Sequence, residues 1–75
     1  MSAGRPAVPA GRLESSPGGF VPEAVRLAVL ASVLDGVPMG AWDLRVVRWL
    51  AGLDTSTALT IASWIARARE AGQAG

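Results

Sequence analysis

An all-α fold, a small three-helix bundle or helix-turn-helix-like module with a disordered N-terminal tail, is what this 75-residue chain predicts. Three observations carry that expectation. Apolar residues recur at helical spacing in three separate stretches, punctuated by Gly36, Pro38, Gly52 and Asp54. No stretch alternates apolar and polar residues as a half-buried strand would. The first nineteen residues are rich in Pro, Gly and Ser and nearly lack large apolar side chains.

Residues 1–19 hold Pro6, Pro9 and Pro17 among several glycines and serines. Such a segment buries too little surface to offset its chain entropy, so it is expected to be disordered. Arg5 and Arg12 could reach DNA or a partner, but two arginines do not make a basic arm. The plainer reading is an unselected leader.

The helical domain is expected over 20–75, with helices at about 22–35, 40–51 and 55–71. Pro22 suits a first helical position, Glu23 complements the helix dipole, and Phe20 is placed to fold back on Val25. Asp35 and Gly36 end this helix, with Gly36 suited to a left-handed stop. Leu27, Leu30, Ala31 and Leu34 form one stripe; Val25, Val29 and Val33 form another. A helix apolar on two sides is the central helix of a bundle or a subunit contact.

In the second helix Trp42, Val46, Trp49 and Leu50 mark the expected core face, and Asp43 lies on the exposed side. Gly52 ends it, with Leu53 expected to pack back in a Schellman-type stop. Asp54 caps the third helix by accepting the free N–H of Ser56 or Thr57. That helix is expected to bury Ala58, Ile61, Ala62, Ile65 and Ala68, and to turn Ser56, Thr60, Ser63, Arg67 and Glu70 outward.

Composition limits the chemistry. The chain has no His, Cys, Lys, Tyr or Asn, a bias that GC-rich codons produce and that points to a high-GC genome. Without His or Cys there is no imidazole base, thiolate or disulfide, and the usual zinc and haem ligands are missing. No two acids sit three or four apart on one expected helix, so no carboxylate cluster is set up for a hard metal. A non-enzymatic protein with no cofactor and no small-molecule substrate is expected. The most apolar run, 24–34, is interrupted by Arg26 and Ser32 and is about half of the ~20 residues a bilayer requires. No membrane partner and a cytoplasmic location are expected. Net charge is only +1, too little to drive tight phosphate binding by itself.

Gly52-Leu53-Asp54-Thr55-Ser56-Thr57, followed by Arg67-Ala68-Arg69-Glu70, resembles the turn and recognition helix of bacterial helix-turn-helix proteins across residues 45–70. That resemblance implies a DNA-binding factor with the third helix in the major groove and Arg45, Arg48, Arg67 and Arg69 on phosphates. Arg48 departs from it, standing where a small residue lets the helices approach. The first turns of the third helix also offer hydroxyls rather than the Arg, Asn or Gln of bidentate base contacts. A plain α-hairpin explains the same residues. Residues 40–72 also resemble short actinobacterial helical proteins of the mobile-element type, through the Arg48-Trp49-Leu50-Ala51-Gly52 run followed by an acid and small hydroxyl residues. That likeness implies a recurring module and no activity.

The remaining candidates are surfaces. Trp49, flanked by Val46 and Leu50, is expected in the core. Trp42 and Trp64, near their helix ends, are expected at a partner contact together with Leu27. Arg45, Arg48 and Arg67 would share one basic surface if the second and third helices packed antiparallel; otherwise they are ordinary solvated arginines beside Asp43 and Glu70. The expected function is a binding module for a protein partner or a second copy of itself, with DNA binding as the alternative.

Overall fold

The computed structural model describes residues 8–9 and 11–74, and the described chain is all-α. Its helices are α1 (Glu23–Val33), α2 (Ala41–Ala51) and α3 (Thr55–Ala74). Arg5 and the other residues of 1–7 lie outside the described chain.

Each boundary has a local cause. Pro22 sits one place before α1, and its carbonyl accepts from the amides of Val25 and Arg26 at 3.0 and 2.9 Å. Gly36 takes φ 84°, the left-handed conformation expected after this helix. Gly40 precedes α2, and its amide donates to Asp43 Oδ2 at 2.8 Å. Gly52 ends α2 in right-handed geometry at φ −78°, so the expected Schellman stop does not form. The Leu53 amide instead donates to the Leu50 carbonyl at 3.1 Å. Asp54 caps α3 as expected: Thr57 donates its amide to Oδ2 at 3.0 Å and its hydroxyl to Oδ1 at 2.8 Å. α3 runs on through Gly72 to Ala74, past its expected end at 71.

α1 is the central helix, packed against both α2 and α3, while direct contact between α2 and α3 is slight. The core joins Val29, Leu30 and Val33 to Val47 and Ala51 of α2 and to Leu59 and Ala62 of α3. The buried stripe of α1 is therefore Arg26, Val29, Leu30 and Val33, lying between the two expected stripes. Leu27 is half-buried against that core rather than free for a partner.

Three expectations about facing are corrected. The core face of α2 is Val47 and Ala51, with Leu50 at its margin, and Trp49 stands out in solvent at 65% exposure. Small side chains there let the α1 and α2 backbones approach, which an indole would prevent. α3 buries Thr55, Ala58, Leu59, Ala62 and Ser63, so its hydroxyl face is turned partly inward and Ala68 outward. Phe20 does not fold onto Val25 and is 80% exposed; Val21 packs on the core in its place.

The segment before α1 has no helix or strand in its described residues, yet it lies on the helices. Val8 packs against the core, and the fully buried Ser63 hydroxyl donates to the Pro9 carbonyl at 3.0 Å. The Ser16 and Ser56 hydroxyls bond each other, and the Val21 amide donates to Thr55 Oγ1 at 3.0 Å. Among the described residues, every buried side-chain polar atom has a hydrogen-bond partner.

Candidate interaction surface on α2

The placement of the arginines decides which residues remain free to bind. Arg26, one turn into α1, is buried. Its Nε donates to the Ala51 carbonyl at 2.8 Å, and its Nη1 donates to the Val21 carbonyl. A cation at the C-terminus of α2 satisfies a carbonyl left unpaired by the helix and complements the helix dipole. Its positive charge also reaches Asp54, whose carboxyl is held below the ordinary aspartate range, first by the Thr57 hydroxyl, then by the Thr57 amide, with Arg26 adding a smaller pull.

Arg69 plays the matching part for α1, donating through Nη1 to the carbonyls of Val33 at 3.2 Å and of Asp35. Arg67 donates to the Ser63 carbonyl one turn back on its own helix at 3.3 Å. Both side chains thus bond backbone carbonyls of their own chain. Arg12 pairs with Glu14 at 2.9 Å on the open surface.

Arg45 and Arg48 on α2 are exposed. The Arg45 guanidinium sits 5.8 Å from the Trp42 ring centroid, within reach of a cation–π contact. Among the described residues, no carboxylate pairs with either arginine. The nearest acid in sequence, Asp43, accepts the Gly40 amide at the start of the helix and lies across the tryptophan row from Arg45.

Around these arginines lie the exposed apolar residues. Trp42 is 70% exposed, and Val46 and Trp49 lie beside it at i+4 and i+7 on the side of α2 turned from α1. The three form a row about 10 Å long at 1.5 Å rise per residue. Trp64, 59% exposed, stands apart from this row on α3. The expected exposure of Trp42 and Trp64 is therefore found, and Trp49 joins them. Because α2 and α3 barely touch, Arg45 and Arg48 do not share a surface with Arg67 through packing of those two helices.

The face that a helix-turn-helix would present from α3 is largely engaged within the chain. Ser63 is buried under Pro9, Ser56 is bonded to Ser16, and Thr60 donates to the Ser56 carbonyl at 2.8 Å.

The described residues also line two concavities of note. An apolar niche of about 150 Å³ between α1 and α2 is lined by Ala31, Leu34, Met39, Leu44 and Val47. These side chains include no polar group to orient a ligand. A shallower hollow beside Val33, Ala66, Arg69 and Glu70 is open to solvent, and its arginine is the one that caps α1. Among the described residues, no group of three acids gathers as a hard cation requires, and no helix is long and apolar enough to cross a membrane.

No family profile, curated protein or solved structure matches this chain.

Spacing alone did not place Arg26, buried on the α1 side of α2, or Trp49, on its outer side. Arg26 carried a legible signal: it precedes Val29, Leu30 and Val33 at i+3, i+4 and i+7, on the same stripe as the core. A cation on such a stripe is buried only with carbonyls or acids at hand, and the end of α2 supplies a carbonyl. Trp49 carried no equivalent signal, because α2 is apolar on two sides and periodicity alone does not rank them.

Proposed function

We propose that the protein is a non-enzymatic, cytoplasmic binding module that acts through contact with another protein or with a second copy of itself. The single observation behind this reading is the exposed row of Trp42, Val46 and Trp49 on α2. Two largely bare indoles on one helix, beside two guanidiniums that no carboxylate pairs with among the described residues, are the residue types that dominate protein interfaces. Indoles bring large contact area at small entropic cost, and a helix whose other side is fixed by α1 presents them pre-organised.

The duplex-DNA alternative has less support. Arg69 and the α3 hydroxyls are engaged within the molecule, and Arg45 and Arg48 leave only a small charge for phosphates.

The test compares the full chain with the Trp42→Ala/Trp49→Ala variant by sedimentation and by affinity capture from extract with nucleic acid digested. A self-complex or retained protein that disappears in the variant supports the reading. A monomer with the same captured set in both forms refutes it. Duplex binding that survives the double substitution but is lost at Arg67→Glu would favour the DNA reading.

A further inference from the structure

The row on α2 has the register of a helix–helix seam. Trp42, Val46 and Trp49 fall at alternating steps of four and three residues, the d–a–d pattern along which one α-helix packs against another. In that register Arg45 occupies a g position, the flank whose charge selects the partner and its orientation. The seam is exposed along its length, while Val47 and Ala51 behind it are locked onto α1.

The flank charge discriminates between occupants. A second copy packed antiparallel, with Trp42 of one chain beside Trp49 of the other, would set the two Arg45 side chains against each other across the seam. A parallel copy would set Arg45 beside Leu50. Neither arrangement gives Arg45 a carboxylate, and the antiparallel one adds like-charge repulsion. Asp43 falls at an e position and meets Arg45 in neither arrangement: antiparallel packing sets e beside e, and parallel packing sets the g residue Arg45 beside the later e residue Leu50.

Resting on the binding-module reading above, we propose that α2 docks an amphipathic helix of a different protein. That helix carries apolar residues at matching three–four spacing and glutamate or aspartate along its flanks. Its apolar row covers Trp42, Val46 and Trp49. Its acids pair with Arg45 and reach Arg48 at the rim. The indoles supply the contact area, and the arginines choose an acidic partner over a basic one.

The experiment uses the full chain and two synthetic helical peptides with identical leucine positions, one flanked by glutamate and one by lysine. Binding is read from the blue shift of tryptophan emission as the indoles leave water. The glutamate peptide is expected to bind at least tenfold more tightly than the lysine peptide, with the margin shrinking as salt rises. Trp49→Ala should weaken it about tenfold or more, as for an interface anchor. Arg45→Glu/Arg48→Glu should reverse the preference between peptides; both residues are exposed, and circular dichroism checks that the helices persist. Equal binding of the two peptides, or a preference that survives charge reversal, overturns the proposal.

Sedimentation of the same samples separates the two readings. A dimer abolished by Trp49→Ala, with no discrimination between peptides, would make a second copy the occupant and leave the binding-module reading standing. No peptide binding and no self-association would overturn both.

Discussion

Arg26 and Arg69 show how one side chain can join elements that are distant in sequence. Each closes the C-terminal end of a different helix, Arg26 at Ala51 of α2 and Arg69 at Val33 of α1. Removing the buried one leaves a desolvated carbonyl and breaks the link from α1 to the end of α2. Arg26→Ala should therefore cost about 2–4 kcal/mol of stability in urea unfolding, from hydrogen bonds made by a charged donor. Arg45→Ala, on the open face, should stay within about 0.5 kcal/mol. Asp54 predicts a pH effect. Its carboxyl titrates below the ordinary aspartate range when folded, so its contribution is complete above the unfolded value and is lost as pH falls through the folded one. The melting temperature should accordingly fall on acidification below about pH 4. Asn keeps an acceptor for the Thr57 amide without a titrating charge, so Asp54→Asn should flatten that part of the profile. An unchanged profile would assign acid sensitivity to other carboxylates.

α2 is a helix with two apolar sides of different character. Val47 and Ala51 are small and buried; Trp42 and Trp49 are large and bare. Alanine at Trp42 or Trp49 should thus change stability by less than about 0.5 kcal/mol. A tryptophan in the core would cost about 3–5 kcal/mol on the same substitution. Urea midpoints of the two variants decide between these values. α3 presents the opposite case, a stripe that reads as polar and is partly covered. Ser63 is sealed by the Pro9 carbonyl and Thr55 by Val21, so the segment before α1 acts as a strap across α3. Deleting residues 1–19 should lower stability by about 1–2 kcal/mol through the lost hydrogen bonds and the burial of Val8. It should also raise amide exchange in the first half of α3. A deletion without effect would return the segment to the status of a leader.

At the scale of the whole molecule, α1 carries the fold. Among the described helices it packs substantially against both of the others, and the side chains it contributes to the core include the fully buried Leu30. A unit this small has little stability in reserve. Leu30→Ala should cost about 2–5 kcal/mol and abolish cooperative melting near room temperature. Survival of a sharp transition would mean that the core is broader than the α1 stripe. The central position of α1 also keeps α2 and α3 from closing on each other, so the outer side of α2 remains available.

Element type and approximate boundaries followed from local physics: helical spacing of apolar residues, the Asp54 cap, the left-handed Gly36 and the breaks at Pro38 and Gly52 all act within a few residues of themselves. The central role of α1 was legible for the same reason, since two apolar stripes on one short helix require two neighbours. Facing was a different matter. Which side of α2 turned inward depended on how closely its backbone could approach α1, and small Val47 and Ala51 allowed what Trp42 and Trp49 would have blocked. Burial of Arg26 and Ser63 depended on carbonyls from Ala51 and Pro9, 25 and 54 residues distant along the chain. Periodicity measures how a helix differs around its own axis; only the packed molecule supplies the neighbour that makes one side the inside.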